Sequence, residues 1–282
     1  MKKVKDFYKD NPFNFSSNLD LLSKSLLERN QILEYKDLHE LLRKRNYFLG
    51  EREIKTIIEF GCGTGWLTNS ILLYYKKSVK SIDFTEKALS TAKAISDRLN
   101  LETNFVNSDI FNYKENAFYD LVISMGVLHH TKNCRKAFRK ISKFVKPKGY
   151  IYLGLYHLYG RRPMLRFMQS YSRWHGEQSG YNLFKKMNKK MEDNEHSYSW
   201  FRDQVLHPHE TQHTLEELYS WLEEENFELK STSINNYKSI KNLKPKDLIK
   251  LEKNMEKYSS KKNIEELIFN PGYFTICAKK RV

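Results

Sequence analysis

Cysteine is scarce and scattered: Cys62, Cys134 and Cys277 are the only three in 282 residues. None forms a Cys-x-x-Cys pair, which excludes a disulfide framework and a zinc ribbon and fits a reducing, cytoplasmic compartment. Long apolar runs are also missing. None approaches the roughly 18 residues that cross a bilayer, and the N-terminus has no apolar stretch of the signal-peptide kind, so a soluble chain without a membrane partner is expected. Acidic residues are short of basic ones, 34 against 49, leaving a formal charge of +15. That surplus would ordinarily raise nucleic acid as a partner. Here the lysines are spread over the whole chain, and the densest run, Lys238 to Lys262, alternates with Asp247, Glu252 and Glu256, so nucleic acid is the weaker expectation.

Glycine is sparse as well, eleven in all, yet three fall within five residues at Gly61, Gly63 and Gly65. Ile54, Ile57, Ile58 and Phe60 before them form a short apolar run of the kind found in a parallel strand covered on both faces. From Trp66 to Tyr75 the pattern resumes at helical spacing, so the order is strand, glycine turn, helix. That is the setting in which a nucleotide-binding turn is credible, because only glycine tolerates positive φ and lets a ligand touch the backbone. The spacing is Gly-x-Gly-x-Gly, whereas the dinucleotide turn is Gly-x-Gly-x-x-Gly, which disfavours a nicotinamide dehydrogenase.

Glu59-Phe60-Gly61-Cys62-Gly63-Thr64-Gly65 resembles motif I of the class I S-adenosylmethionine-dependent methyltransferases. In that family the turn packs against the amino-acid end of the cofactor, which implies roles for Glu59, Gly61, Gly63 and Gly65. Further segments agree in order. Val79 to Asp83 reads as a second strand ending in a carboxylate about 20 residues beyond the glycines, where such folds bind ribose hydroxyls; Phe84 would line the adenine side. Asn104 to Ile110 reads as a third strand. Alone, Asp109 suits a turn or a helix cap, but the resemblance implies that it binds the adenine amino group while Ile110 packs on the ring.

Tyr119 to His130 contains a fourth strand expected beside the first, where strand order reverses and open α/β sheets bind ligands. Its Ser124-Met-Gly-Val-Leu-His129-His130 wording is similar to methyltransferases acting on small molecules, with Ser124 counted among the cofactor residues. The Asn/Asp-Pro-Pro-Tyr/Phe signature of amino-group methyltransferases is absent, which counts against a nucleobase amine. Asn133 to Val145 reads as a basic amphipathic helix, Lys146 to Gly149 as a turn and Tyr150 to Tyr156 as a fifth strand.

The expected architecture is a doubly wound α/β fold, a seven-stranded mostly parallel sheet with an N-terminal helical arm and an inserted lid. Residues 1–50 would be the cap, 51–156 the cofactor-binding core, 157–213 the lid and 214–282 the completion of the sheet. In the cap, Phe7 to Phe15 with Pro12 suggests an extended arm, and Leu19–Leu27 and Ile32–Tyr47 suggest helices. About 55 residues separate strand five from the helix starting near Thr214, far more than an ordinary connection. Strand six is expected at Glu228–Ile234 and strand seven from Gly272, antiparallel by the resemblance, with a basic helical attachment between them.

The resemblance implies methyl transfer from S-adenosylmethionine to an N, O or S atom of a small molecule, yielding S-adenosylhomocysteine. An oxygen or protonated nitrogen acceptor would use a base. Candidates are His129, His130, His157, His207 and His209, with Tyr156 as an orienting hydroxyl; Asp203, Glu210 and His213 add to the titratable cluster at the end of the lid. His209-Glu210-Thr211-Gln212-His213 matches the His-Glu-x-x-His string. Pro208 and the Thr214-x-x-Glu217 capping box place the helix start after it, so no metal is expected. A tRNA or rRNA methyltransferase and a non-catalytic cofactor-binding protein are the competing readings.

Overall fold

A computed structural model describes residues 2–43, 53–189, 193–241 and 243–282. The chain opens with α1 (Lys2–Lys9), α2 (Leu19–Glu28) and α3 (Lys36–Leu42). The core then alternates β1 (Ile57–Phe60), α4 (Trp66–Ser70), β2 (Val79–Asp83), α5 (Glu86–Arg98), β3 (Asn104–Asn107), β4 (Tyr119–Met125), α6 (Cys134–Ser142) and β5 (Val145–Tyr156). Three helices follow, α7 (Leu158–His175), α8 (Glu177–Met187) and α9 (Asn194–Val205). The chain returns through α10 (Leu215–Glu224) and β6 (Phe227–Thr232), and α11 (Pro245–Glu252) and α12 (Asn254–Ser260) precede β7 (Tyr273–Lys280).

The seven strands lie in the order β3-β2-β1-β4-β5-β7-β6. Strands β1 to β5 pair in parallel, and β7 runs antiparallel to both β5 and β6. β1 therefore has β2 on one side and β4 on the other, and the order reverses at its C-terminal end. The alternation of a strand sends neighbouring side chains to opposite faces: Ile58 and Phe60 join α6 and α10 through Phe138, Leu218 and Trp221, while Ile57 joins α3 through Leu38, Leu41 and Leu42. Both faces of β1 are thus buried, which is why its sequence is a continuous apolar run. α3 is also fixed by Asp37, buried on the sheet, which accepts hydrogen bonds from Tyr152 Oη at 2.7 Å and from Ser231.

The three helices α7, α8 and α9 have their own small core, Met164, Met168, Phe184, Phe201 and Val205. They are stapled to the sheet where His157, buried at the end of β5, meets Glu252 of α11 at 2.7 Å, and where the His157 and His213 backbones form a bridge.

Several local expectations need correction. Phe7 and Tyr8 are helical, in α1, because Pro12 restrains only Asn11 and not the turn before it. The single helix expected over Ile32–Tyr47 is a 3₁₀ turn (Gln31–Glu34) followed by α3; residues 44–47 lie outside the described residues. Lys146–Gly149 is not a turn but the start of β5, where a register shift opposite Tyr119–Leu121 and a left-handed Lys148 (φ +62°) absorb the irregular residues. β3 ends at Asn107, so Asp109 sits in the turn beyond it.

Candidate functional site

The glycine turn is tied to the end of β2. Gly61 and Cys62 amides both donate to the Ile82 carbonyl, at 2.7 and 3.1 Å, and the Gly63 amide donates to Asp83 Oδ2 at 2.9 Å. All three glycines have positive φ, for different reasons. A Cβ on Gly61 would lie 2.3 Å from Val127, and one on Gly65 2.7 Å from Ala92, so those two permit close packing. Gly63 (φ +53°) and Gly126 (φ +76°), by contrast, have nothing within 4 Å of an added Cβ. Their backbones face a cavity of about 330 Å³ at the C-terminal ends of β1, β2 and β4.

Gly61, Gly63, Asp83, Phe84, Asp109 and Ile110 line that cavity, and so do His130 and Tyr156. Glu59, Gly65 and Ser124 are not among its lining residues. Glu59 is buried beside the turn, accepting from Thr68 Oγ1 at 2.5 Å, and burial raises its pKa to about 7. Ser124 donates to the Phe60 carbonyl at 3.0 Å and so braces β4 against β1. Asp83 is held by the Gly63 and Thr85 amides; burial raises its pKa and these bonds oppose the rise. Asp109 accepts from the Phe111 amide at 2.9 Å and pairs with Lys5 at 3.6 Å.

Lys5 and Tyr8 from α1, Tyr35, Trp200, Asp203 and Gln204 from α9, and Tyr273 also line the cavity. Of these only Asp203 stood out as a chemical group in the sequence, within the titratable cluster; the aromatic residues of α1 were its other signal. Tyr8 Oη donates to Asp203 Oδ1 at 2.5 Å, and Gln204 Nε2 donates to Asp203 Oδ2 at 2.9 Å and to Tyr156 Oη at 2.7 Å. Burial raises the pKa of Asp203, while His207, Tyr8 and Arg161 oppose that rise. Behind Tyr156, the buried Arg161 guanidinium stacks 3.8 Å from the ring centre and bonds Glu210 at 3.0 and 2.8 Å. Burial pushes Glu210 up, but Arg161 outweighs it and holds the carboxyl below its ordinary range.

The histidines divide. His209 does not line the cavity; its Nε2 reaches the Thr131 carbonyl at 3.0 Å. His213 faces Glu217 and Thr211, at 2.9 and 2.8 Å. The His-Glu-x-x-His string is extended rather than helical, and its two imidazoles have separate partners. His129 is fully buried; its Nδ1 accepts from the Tyr156 amide at 3.3 Å and its ring lies 4.0 Å from that of Tyr156.

His130 and His207, from segments 77 positions apart, stack with ring centres 3.8 Å apart. One nitrogen of each and a carboxylate oxygen of Asp203 lie within 4.8 Å of one another. The hydrogen bonds fix the tautomers. His130 Nδ1 faces the His209 carbonyl at 3.1 Å and must carry a proton, which leaves a lone pair on Nε2. His207 Nδ1 accepts from the His209 amide at 3.1 Å, so the proton of its neutral ring is on Nε2. A metal-bound imidazole donates from its other nitrogen, and His207 accepts there, so this arrangement does not suit a cation. Burial lowers His130 to about 4 and His207 to about 3, keeping both rings neutral near pH 7.

This strand order, with an antiparallel β7 inserted beside β5 and a glycine turn, an acid at the end of β2 and another in the turn after β3 around one cavity, defines a Rossmann-like methyltransferase domain. Residues 52–226 match the family model of a methyltransferase domain, and the chain belongs to that family. Among its relatives, malonyl-[acyl-carrier protein] O-methyltransferase 2 of Ilyobacter polytropus is 29% identical over 120 residues, 42% of this chain and 44% of that protein. The ubiquinone biosynthesis O-methyltransferase of Rickettsia bellii is 29% identical over 93 residues, 33% of this chain and 38% of that protein. The chain thus spans less than half the length of these relatives. The plantazolicin methyltransferase BpumL in complex with SAH shares the fold at a TM-score of 0.52 and 14% identity, covering 99% of this chain and 94% of that one. PKMT2 from Rickettsia typhi shares it at 0.62 and 14%, covering 90% and 55%. No helix among the described residues is long and apolar enough to cross a membrane.

Proposed function

We propose that this chain methylates a hydroxyl oxygen of a small molecule with S-adenosylmethionine as donor, His130 taking the hydroxyl proton. Family membership supports methyl transfer, and the cavity fits the donor: Gly63 and Gly126 offer backbone unobstructed by side chains, and Asp83 at the end of β2 and Asp109 in the turn after β3 both line it. Gly61, Gly63, Asp83, Phe84, Asp109 and Ile110 would hold the donor, while Glu59, Gly65 and Ser124 keep the turn in shape. Bound there, S-adenosylmethionine supplies an electrophilic methyl group on a sulfonium.

The observation that carries the acceptor assignment is His130 Nε2. It is buried, has no hydrogen-bond partner among the described residues, belongs to a residue lining the cavity, and holds a lone pair by its tautomer. A base so placed is of use to a hydroxyl, which must lose its proton, and of none to a thioether or tertiary amine. Tyr156, held by Gln204 and Arg161, orients the acceptor; His129 positions Tyr156, and His207 and His209 support His130. The lid, residues 157–213, supplies acceptor contacts through Asp203 and Gln204. Two O-methyltransferases among the relatives support the same reading, and three buried unpaired cysteines suit a reducing cytoplasm as its compartment.

The test is S-adenosylhomocysteine formation from S-adenosylmethionine with a panel of hydroxyl, amine and thiol acceptors. Turnover confined to hydroxyls, lost in His130→Ala with S-adenosylhomocysteine binding intact, is expected. Turnover of amines or thiols only would overturn the oxygen assignment, and an RNA that binds with a steep salt dependence and is methylated would overturn the small-molecule one.

A further inference from the structure

We propose that the groove between α7 and α12 docks an acidic amphipathic helix of a partner protein. It lies outside the methyl-transfer site, since none of its lining residues lines the strand-end cavity.

α7 is the longest helix among the described residues, and over Leu158–His175 it carries four arginines and no Asp or Glu. Its inner face packs through Met164 and Met168, and Arg161 is engaged by Glu210 and Tyr156. The far side presents Arg162 and Arg166, four positions apart, with Phe167, Tyr171 and Trp174, and these line an open groove of about 550 Å³. Glu256 of α12 and Ile264 of the helical turn Lys261–Glu265 that continues it stand on the other wall. Arg162, Arg166 and Arg173 are exposed, and none has a carboxylate partner among the described residues. Trp174 is 82% exposed and Ile264 47%.

The chain itself contains a basic helix of this pattern with its cover in place. α6 carries Arg135 and Arg139, again four apart, beside Phe138. It is covered by α10, whose Glu224 pairs with both guanidinium groups while Glu225, just past its end, meets Arg139 at 2.8 Å. Trp221 of α10 lies 5.9 Å from Phe138 between ring centres. α7 repeats the arginine spacing with aromatic rings alongside, and there the guanidinium groups and the indole are left in water. Trp and Arg are the residues enriched where interfaces bind most strongly.

The charges select the occupant. A second copy would set arginine against arginine in a two-fold contact between chains of formal charge +15. A phosphate strand laid along the groove would meet Glu256. A helix can turn its acids to the α7 wall and its apolar stripe to Phe167, Trp174 and Ile264. A bilayer is flat and does not enter a groove sunk between two helices.

The experiment uses, as the acidic helix, a fluorescein-labelled peptide with the sequence of Thr214–Asn226, stapled to hold it helical, in anisotropy titrations with the whole chain. Saturable binding that weakens with salt is expected. It should weaken about tenfold or more in Arg162→Glu/Arg166→Glu, in Trp174→Ala, and when the peptide's glutamates are replaced by glutamine. Circular dichroism checks that the variants fold, and the glutamine peptide tests the charge dependence on the unmodified chain whatever the variants do. No saturable binding below about 1 mM, or binding indifferent to the variants and to the glutamine peptide, would overturn the proposal. So would tighter binding of polyuridylate or of phosphatidylglycerol vesicles, or self-association in sedimentation, that is lost in Arg162→Glu/Arg166→Glu.

Discussion

The Tyr8 hydroxyl lies 2.5 Å from Asp203 Oδ1, joining α1 to α9 across 195 positions of sequence. The same helix places Lys5 3.6 Å from Asp109 at the other end of the cavity. α1 therefore touches two carboxylates that line the cavity, Asp109 in the turn after β3 and Asp203 of α9. Arg202 adds a bond to the Phe7 carbonyl at 3.1 Å. The cavity is closed by a strap that is held by polar contacts at either end.

Tyr8→Phe tests that closure. The substitution keeps the ring but leaves Asp203 Oδ1 without its donor, a loss worth about 1–3 kcal/mol for a buried charged acceptor. Turnover should fall about tenfold or more, and limited proteolysis should cut within α1 faster than in the unmodified chain. Unchanged turnover and unchanged cleavage would show that the contact holds nothing in place.

Asp83 tests the donor end. It receives the Gly63 and Thr85 amides, so Asp83→Ala removes an acceptor from the turn as well as from a ribose. Asp83→Asn retains one oxygen for the backbone and loses the charge that strengthens hydroxyl bonds. In thermal-shift measurements the stabilisation by S-adenosylhomocysteine should disappear in Asp83→Ala and shrink in Asp83→Asn. A full shift in both would refute the assignment of this residue.

The glycines separate packing from binding. Gly61→Ala puts a methyl 2.3 Å from Val127 at φ +80° and should cost several kcal/mol, on the order of 3, from overpacking and left-handed strain together. Gly63→Ala meets nothing within 4 Å, so it should cost only about 1–2 kcal/mol of left-handed strain. It should nevertheless abolish S-adenosylhomocysteine binding, because the methyl enters the cavity. Chemical denaturation beside calorimetry distinguishes the two; tight binding by Gly63→Ala would mean the ligand does not touch this turn.

These contrasts show why part of the site could be read from sequence and part could not. Positive φ is written in residue identity, so three glycines after an apolar run expose a strand-turn-helix unit directly, and an acid at the end of the next strand follows from strand length. Tyr8 and Asp203 meet only through tertiary packing, and no periodicity connects residues so far apart. The histidine cluster read as one group is divided by the fold, His209 and His213 to outer contacts and His207 to His130 from the turn after β4. What each imidazole can do depends on which nitrogen meets the His209 peptide, and that has no sequence signature. α1 departs from the extended arm that Pro12 suggests because a proline restrains only the residue before it, Asn11, and leaves Lys2–Lys9 free to be helical.

The pH dependence of stability provides a test of the buried His130. Its native pKa of about 4 lies below the ordinary 6.5, chiefly through burial, with the hydrogen bond to the His209 backbone and the Glu210 charge pulling it up and the Arg161 and His209 side chains pushing it down; Asp203 and His207 also face it. Between about 6.5 and about 4 the unfolded chain binds the proton that the native ring refuses. The contribution is thus fully present above about 6.5 and is lost as the pH falls towards about 4, with a span on the order of 3 kcal/mol. Glu59, raised to about 7 from 4.5, works in the opposite direction: its contribution is present below about 4.5 and is lost as the pH rises through about 7. The buried His207, lowered to about 3, and His129, also lowered by burial, add to the wild-type curve in the same direction as His130, so the readout is the difference from His130→Gln, which keeps those residues and Glu59 in place. That difference should shrink by roughly 3 kcal/mol from pH 7 to pH 4 in urea denaturation, while wild-type turnover stays flat between about pH 6 and 8 because His130 is already neutral. A difference that does not vary with pH, or a limb in turnover near pH 6.5, would place the ring in water and remove it as the buried base.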